Sequence, residues 1–246
     1  APIAKRDREA ALASQNAPPD PKKTTLGQTI LNQALLKKGG ATRLGGLRTS
    51  KQTGVLKGSV PGQVNFEGKL YRWVSFADKQ MRSEMEVPQF GGSIVTVATT
   101  AGGWRQIGAQ VQDTPKKQAA EELARSLWRD KDIVLLRHLQ PGTIVQALGK
   151  KTVDGKTYDA VFLRGPAGDE ATLYIDPATR YLARTEFDLG GQAAFEAYSN
   201  YKVVDGIAFP HTVHIDTPGF VLDAEIHTTE VNPVLPKELF EKPASK

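Results

Sequence analysis

The chain has 246 residues, 39% hydrophobic and 24% charged, so it can bury one sizeable core and requires no second domain. Its net charge of +5 and pI near 9.3 arise from Lys and Arg residues scattered among 27 acids, a pattern that favours solubility over a nucleic-acid-binding block. The sequence has no Cys, so disulfides, thiol nucleophiles, cysteine zinc sites and a lipidated Cys are absent from these 246 residues, and no run approaches the roughly 18 apolar residues of a membrane span.

Residues 1–23 are predicted to form a flexible N-terminal arm or linker, because three prolines between positions 18 and 21 interrupt any earlier helix. The sequence begins with Ala1 rather than Met, which agrees both with an exported protein that has lost its signal peptide and with a trimmed chain. A helix is predicted from Thr25, which can cap it, to the pair Gly39-Gly40. Its apolar stripe consists of Leu26, Ile30, Leu31, Ala34 and Leu35.

Five strands are predicted next, over residues 53–60, 64–76, 80–87, 93–99 and 103–107. The third of them alternates strictly between apolar and charged residues. Met81 and Met85 share one parity, and Arg82 and Glu84 share the other. Because side chains alternate across a strand, the methionines are expected to face the core and the charged residues the opposite side.

The hydrophobic period then changes from that of a strand to that of a helix. Asp113 or Thr114 can cap a helix that has Pro115 in its first turn and continues to Asp130. A further short helix is predicted from Asp130 to the region of His138. The apolar stripe of the longer helix consists of Ala120, Leu123, Ala124, Leu127 and Trp128.

The second half of the chain returns to a period of two. Strands are predicted over residues 145–152, 157–164, 171–176, 181–189, 193–202 and 207–231, the last interrupted at 218–219. Within 181–189, Ala183 and Thr185 share one face, and Leu182 and Arg184 share the other. Strands with one apolar and one charged face belong to antiparallel sheets that are wet on one side.

These elements predict an α+β fold, mostly β. The strands, about eleven in number, are too many for a flat sheet, since intrinsic twist curls large antiparallel sheets. We therefore expect a curved antiparallel half-barrel whose concave face is covered by about three helices. A sandwich is the alternative, but it does not need two strongly amphipathic helical insertions. Residues 24–246 are expected to form this structure as a single domain.

Five short segments carry a resemblance to a known family: KGGA at 38–41, VDGKTYDAV at 153–161, YIDPAT at 174–179, YKVVDGIAFP at 201–210 and VNP at 231–233. In these segments the chain resembles the LolA/LolB-like superfamily, especially its divergent outer membrane lipoprotein-sorting protein group. Similar domains accompany insulinase-type zinc peptidases. The segments are turn and strand-pairing signatures, and none is catalytic. One departure is Arg180, at a position where relatives usually have Gly.

The resemblance implies an open, incomplete β-barrel with helices as a lid over an apolar cavity. It implies a non-enzymatic, soluble periplasmic protein that carries or binds lipoprotein acyl chains or another hydrophobic ligand and touches the membrane surface transiently. A lid over residues 119–139 is expected to move to admit the ligand. Two alternatives involve no ligand: an interaction or scaffold module with a protein partner in a cell-envelope complex, and an accessory domain of a peptidase system.

No nucleophile elbow, zinc-peptidase motif or nucleotide-binding loop occurs in the sequence. His211 and His214 are the best candidates for a pair of metal ligands. Because they are three residues apart on a strand, their side chains point to opposite faces. His211 shares its parity with Phe209 and Val213, so a hydrogen-bonded core histidine is the favoured interpretation, and contact with a polar head is the alternative. No catalytic residue, metal site or cofactor is predicted, and no nucleic-acid partner.

The predicted ligand-binding residues are large apolar side chains expected to line the concave face, although each could instead belong to a solid core. A buried methylene contributes about 0.8 kcal/mol, so an acyl chain can bind there without a special polar contact. The candidates are Trp73, Met81, Met85, Trp104, Leu127, Trp128, Leu136, Phe162, Leu173, Phe187, Phe195, Phe209, Phe220, Leu222 and Ile226.

Overall fold

The computed structural model describes residues 19–243. Its α-helices are α1 (Pro21–Lys38), α2 (Gly40–Gly45) and α3 (Lys116–Trp128). Short 3-10 helices cover Pro88–Phe90, Val134–Leu139 and Lys237–Leu239. The strands are β1 (Thr49–Val60), β2 (Val64–Ser75), β3 (Gln80–Val87), β4 (Gly92–Thr99), β5 (Gly102–Ile107), β6 (Gln110–Thr114), β7 (Ile144–Val153), β8 (Lys156–Arg164), β9 (Glu170–Ile175), β10 (Leu182–Leu189), β11 (Gln192–Val204), β12 (Ile207–Asp216) and β13 (Val221–Val231).

All thirteen strands belong to one sheet, in the order β6-β5-β4-β3-β2-β1-β13-β12-β11-β10-β9-β8-β7. Every pairing is antiparallel, and β1 pairs with β13 at the centre, where Leu56 lies opposite Ala224. Because β6 and β7 are separate edges, the sheet is open, and the predicted half-barrel is confirmed. The strand count exceeds the prediction because β6 was missed and residues 207–231 form two strands.

Helix α1 begins earlier than predicted. Asp20, not Thr25, is its N-cap, and the Asp20 carboxylate accepts a hydrogen bond from the backbone N of Lys22 at 2.9 Å. Pro21 occupies the first turn, where a missing N–H and a fixed φ suit a helix start. Residues 21–23 are therefore helical rather than part of an arm, and residues 1–18 of the predicted arm lie outside the described residues.

Two other helix predictions need correction. Residues 40–45, for which no helix or strand was predicted, form α2. Asp113 and Thr114, expected to cap α3, instead end β6, and Pro115 is the N-cap without a side-chain hydrogen bond. At the other end of α3, Arg137 donates from Nε to the carbonyl O of Trp128 at 2.7 Å and from Nη2 to that of Leu127 at 2.5 Å. This cation satisfies terminal carbonyls and complements the helix dipole.

A register shift between Leu182 and Arg184 in the β9–β10 pairing changes the predicted parity of β10. Leu182 pairs with Ile175, and both side chains lie in the main core. Thr185, predicted to share the face opposite Leu182, pairs with the core residue Leu173. A bulge inserts one residue and so brings both Leu182 and Thr185 to the covered face.

The turn before β10 is formed by the segment YIDPAT at 174–179. The Asp176 carboxylate accepts hydrogen bonds from the backbone N of Ala178 at 2.8 Å and of Thr179 at 3.0 Å. Arg180 has a φ of 64°, in the left-handed region that favours glycine. The turn therefore retains the backbone conformation that a Gly would adopt, and Arg180 Nη1 donates to Asp159 at 3.4 Å.

Candidate ligand-binding face

Helices α1 and α3 pack on the same face of the sheet, here called the concave face. Helix α1 covers the β7–β9 side, where a Cβ on Gly27 would lie 2.9 Å from Cγ1 of Val145 and 3.0 Å from the backbone N of Ala147. Only a glycine allows the helix and strand to approach this closely. The main core extends from this contact to the centre of the sheet and includes Leu31, Leu35, Val161, Leu173, Phe209, Leu222 and Ile226.

Helix α3 covers the opposite end of the concave face. Leu123 and Leu127 pack there against Val74 and Ala98, and Met81 is packed against the same cluster. Strand register aligns the residues beneath α3 in one cross-strand row, formed by Val74, Met81, Ala98 and Gly103. The absence of a side chain on Gly103 admits Ala119, whose Cβ would lie 3.1 Å from a Cβ at that position.

A second apolar row crosses the same four strands and is called the apolar row: Leu70, Met85, Ile94 and Ile107. Leu70 and Met85 are half-buried, and Ile107 is 43% exposed. Adjacent strands lie about 4.8 Å apart, so the row spans about 14 Å. Between this row and α3 runs a polar row of Arg72, Ser83, Thr96 and Arg105. The uncovered part of the concave face is therefore amphipathic.

The centre of the concave face is occupied by the segment 130–135, here called the plug. Its apolar residues Ile133, Val134 and Leu135 are buried in the main core. Its charged residues are buried too, and Asp132 is 0% exposed. The predicted short helix begins only at Val134, because residues 130–133 form this charged turn.

Ion pairs tie the plug to the central strands. Arg72 of β2 pairs through Nη2 with Asp130 and through Nη1 with Asp132 at 3.4 Å. Lys131 Nζ donates to Gln52 Oε1 at 2.9 Å and to Asp132 at 3.2 Å. Buried charges are tolerated when they are paired and hydrogen-bonded in this way. The resemblance to the LolA/LolB-like superfamily implied an apolar cavity beneath the helices. In the structure a network of paired charges divides this interior.

The network shifts the pKa values of its members. Burial alone raises the pKa of Asp132, but the charges of Lys131, Arg72 and Lys38 outweigh burial and hold this pKa below its usual value. Burial lowers the pKa of Lys38 to about 8, although Asp132 partly opposes the shift. Lys38 Nζ donates to the carbonyl O of Ala208 at 3.2 Å. Burial also raises the pKa of Glu196, whose carboxylate accepts the Tyr198 hydroxyl at 2.9 Å.

Ten of the predicted ligand-binding residues lie on the concave face. Four are half-buried: Met81, Met85, Leu136 and Phe187. Six are buried in the packed core: Leu127, Trp128, Leu173, Phe209, Leu222 and Ile226. The half-buried residues are the ones that keep part of their surface exposed.

The other five predicted residues lie elsewhere. Trp73 and Trp104 are on the convex face with Phe240, because their parity is opposite to that of Val74 and Gly103. Phe162 and Phe195 have the parity opposite to that of the core residues Val161 and Ala194. Phe220 is 37% exposed in the turn before β13. Period-two alternation separates two faces, but it does not identify the inner face when both carry aromatic residues.

The convex aromatic cluster surrounds Arg82. Its guanidinium carbon lies 5.5 Å from the ring centroid of Trp73 and 5.6 Å from that of Trp104. Arg82 Nη1 donates to the carbonyl O of Leu239 at 3.0 Å. Arg82 thus faces away from the concave side as predicted, but it is covered by the C-terminal segment rather than free in solvent.

The two histidines considered as a metal pair have separate protein partners. His211 is buried, and its Nδ1 lies 2.6 Å from the carbonyl O of Ile226. His214 Nδ1 lies 2.7 Å from the carboxylate of Asp223. Within residues 19–243, no group of three or more His, Asp or Glu side chains is arranged to hold a metal ion. The contacts agree with the interpretation of His211 as a hydrogen-bonded core histidine.

The network residues Arg72, Gln52 and Asp132 were missed by sequence reasoning. One signal was present: the run Asp130-Lys131-Asp132 places three charges between two apolar stretches. A charged run there is unusual for a segment that enters a core. The strand partners carried no comparable signal, because they lie 60 and 80 positions away from Asp132 in the sequence.

No protein-family model matches the sequence, and no curated protein matches it significantly. Solved structures do match the fold. A DUF1329 family protein from Desulfovibrio piger is 13% identical with a TM-score of 0.55, over 89% of this chain and 97% of that chain. A LolA superfamily protein from Nitrosomonas europaea is 14% identical with a TM-score of 0.53, over 88% and 97%.

A third structure, described as an outer membrane lipoprotein-sorting protein domain from Vibrio parahaemolyticus, is 13% identical with a TM-score of 0.51, over 88% and 97%. Among the described residues, none of the helices combines the length and apolar character needed to cross a bilayer. At these identities the comparison concerns architecture. The open antiparallel sheet, its covering helices and these matches show that the chain has the LolA-like fold.

Proposed function

We propose that this protein is a non-enzymatic periplasmic binder or carrier of an acyl chain, from a lipoprotein or another lipid. The observation that carries the proposal is the in-register apolar row across β2–β5, beside α3. The LolA-like fold supports it, because similar structures are described as LolA superfamily and lipoprotein-sorting proteins. Transient contact with a membrane surface follows from the need to collect and release such a ligand.

The apolar row suits a hydrocarbon chain better than a polar ligand. Met85, at its centre, is half-buried, and methionine adapts its shape to different apolar partners. Each methylene removed from water contributes about 0.8 kcal/mol, so even a medium-length chain gains several kcal/mol along the row. The flanking polar row keeps water-compatible groups within reach of a head group.

The lid in this proposal is narrower than residues 119–139. The plug is tied to β2 by the pairs of Arg72 with Asp130 and Asp132. Helix α3 is held mainly by apolar contacts of Ala119, Leu123 and Leu127. Apolar contacts can be exchanged for contacts with an acyl chain at little net change in buried area, whereas the ion pairs cannot. Helix α3 is therefore the part of the lid that moves, pivoting on a fixed plug.

The test is displacement of a fluorescent fatty acid, with matched variants on the two faces of the sheet. Met85→Glu places a charge in the apolar row, and we expect it to weaken binding at least about tenfold, since a desolvated carboxylate is strongly unfavourable. Val55→Glu is the control, because Val55 is 38% exposed and pairs with Lys69 and Glu225 on the convex face. It should bind as the unmodified protein does.

Native mass spectrometry of protein purified from its own cell envelope adds an independent measurement. Co-purified lipid of defined mass supports the proposal. Absence of lipid, together with fatty-acid affinity that Met85→Glu does not change, would contradict it and leave the scaffold-module alternative. Circular dichroism of both variants establishes that any loss of binding does not reflect unfolding.

A further inference from the structure

A pocket of about 190 Å³ lies where the C-terminal end of α3 meets the β8–β9 turn and the end of β10. Trp128 and Arg129 line it from α3, and Gly168 and Asp169 line it from the turn. Its other lining residues are Arg125, Glu170 and Asp188. The pocket is separate from the apolar row, whose residues belong to β2–β5.

Two opposite charges in this pocket make no hydrogen bond or ion pair with any side chain among the described residues. Arg129 and Asp169 are both half-buried, and Asp169 acts on Arg129 only through a longer-range attraction, which opposes the lowering of the Arg129 pKa by burial. The remaining charges differ. Arg164 Nε pairs with Glu170 at 2.6 Å, Asp188 accepts the backbone N–H of Gly191 at 2.6 Å, and Arg125 is exposed at the rim.

Arg129 is held in place by an aromatic ring. Its guanidinium carbon lies 4.0 Å from the ring centroid of Phe187. Stacking covers one face of the guanidinium and leaves its edge N–H groups as donors. Burial lowers the pKa of Arg129 although Glu196 and Asp169 attract its charge, so the protein compensates this charge incompletely.

A second unpaired donor is close by. Trp128 is 8% exposed, and its buried indole N–H has no hydrogen-bond partner among the described residues. Buried donors without a partner are rare and call for an explanation. This indole nitrogen is packed against Gly165 of the β8–β9 turn, so the guanidinium of Arg129 is the donor that a ligand in the pocket reaches.

We propose that this pocket binds a zwitterionic group, with its phosphate or carboxylate on Arg129 and its ammonium on Asp169. Two half-buried opposite charges that line one pocket match a small molecule that carries both charges a few bonds apart. A simple anion is attracted by Arg129 but repelled by Asp169, and a simple cation is attracted by Asp169 but repelled by Arg129. The zwitterion is either a lipid head group of the phosphoethanolamine type or the free small molecule, and the proposal does not depend on acyl-chain binding.

The test is calorimetric titration of the full chain with phosphoethanolamine, inorganic phosphate and ethanolamine. We expect phosphoethanolamine to bind at least about tenfold more tightly than either fragment, because it satisfies both charges. Arg129→Gln should abolish this preference, Asp169→Asn should reduce phosphoethanolamine to the level of phosphate, and Arg129→Lys should retain part of it. The control Arg48→Gln makes the same charge change at an exposed residue beside β1 and should have no effect.

Equal binding of the three probes, or unchanged binding by Arg129→Gln, would overturn the proposal. Lysophosphatidylethanolamine distinguishes the two sources. If lysophosphatidylethanolamine binds more tightly than phosphoethanolamine, and both Arg129→Gln and Met85→Glu weaken its binding, the pocket is assigned to a lipid head group. If the two compounds bind equally tightly, the pocket is assigned to the free zwitterion. If Met85→Glu loses fatty acid while phosphoethanolamine binding persists, the two sites are independent, so failure of one proposal is distinguishable from failure of the other.

Discussion

Arg72 on β2 and Asp130 in the plug form an ion pair on the concave face of the sheet, 58 positions apart in the sequence. The Arg72 side chain is 18% exposed and that of Asp130 is 3% exposed. Arg72 also reaches Asp132, so one guanidinium contacts both carboxylates of the plug, and Lys131 pairs with Asp132 as well. The ion pairs that join the plug to β2 therefore come from a single cation.

Arg72→Met should strongly destabilise the protein. The change leaves Asp130 without its cation and Asp132 with Lys131 alone, and breaking a buried pair in this way removes about 3–5 kcal/mol. Urea unfolding followed by circular dichroism measures the free energy of unfolding. Lys51→Met is the matched control, because it breaks an exposed pair with Glu230 and should change stability by less than about 1 kcal/mol. Similar losses in the two variants would contradict this account of the plug.

The protein should become more stable as the pH rises from about 7.5 to 9.5. The folded-state pKa of Lys38 is about 8, below the usual value of about 10.4, so the unfolded state binds more protons in this window. Stability then increases with pH, by about 2 kcal/mol from this group. Burial also raises the pKa of Tyr201, an effect with the opposite sign that begins only near pH 10.

The measurement for Lys38 is the difference between the unmodified protein and Lys38→Met at both pH values. The variant lacks the buried ammonium, so it should be more stable than the unmodified protein at pH 7.5, and the gap should narrow by pH 9.5. A gap that stays constant across this range would show that Lys38 does not titrate there. Lys37→Met, at an exposed position of the same helix, is the matched control for the loss of one lysine.

Sequence patterns predicted the architecture better than the interior. The parity of Met81 and Arg82 was confirmed, because alternation within one strand depends only on local geometry. Trp73 and Trp104 were placed on the wrong face because the C-terminal segment covers the convex side and makes it apolar as well. The network of Arg72, Gln52 and Asp132 depends on pairing between distant strands, for which single-sequence periodicity carries no information.

The start of α1 was predictable in principle. Asp20 followed by Pro21 is a strong helix-start pattern. The prolines just before it favour a linker, and for this reason the helix was predicted to begin later. The bulge beside Leu182, by contrast, has no composition signal. It reverses the parity of one residue, and only the pairing of Leu182 with Ile175 reveals it.

Gly27→Leu should separate α1 from the sheet. A Cβ at this position already lies 2.9 Å from Val145, so a larger side chain forces helix and strand apart, and overpacking of this kind removes about 1–3 kcal/mol. Thermal unfolding measures the loss. Gly45→Leu is the control, because a Cβ there has no neighbour within 4 Å and the residue ends α2. Equal melting temperatures for the two variants would contradict the close-contact role of Gly27.

On the convex face, the cation Arg82 attaches the C-terminal segment to the sheet. Arg82 lies beside Trp73 and Trp104 and bonds the carbonyl O of Leu239, while Trp104 Nε1 donates to the carbonyl O of Phe240 at 3.3 Å. These contacts attach the segment 235–240 to β3 and β5. The segment covers the aromatic side chains that the sequence had assigned to the ligand face.

Arg82→Met should release this segment without unfolding the sheet. It removes the charge-assisted hydrogen bond to Leu239, the ion pair with Glu84 and two cation–π contacts, worth about 2–5 kcal/mol together, which is smaller than the stability of a domain of this size. Hydrogen exchange by mass spectrometry should therefore accelerate in peptides that cover residues 235–240 while β3 and β4 remain protected. Glu86→Gln, which affects only an exposed pair with Lys69, is the control on the same strand. Because the affected contacts are local to the convex face, fatty-acid displacement should be unchanged in Arg82→Met, and a variant that lost both the segment and fatty-acid binding would show that the two faces are coupled.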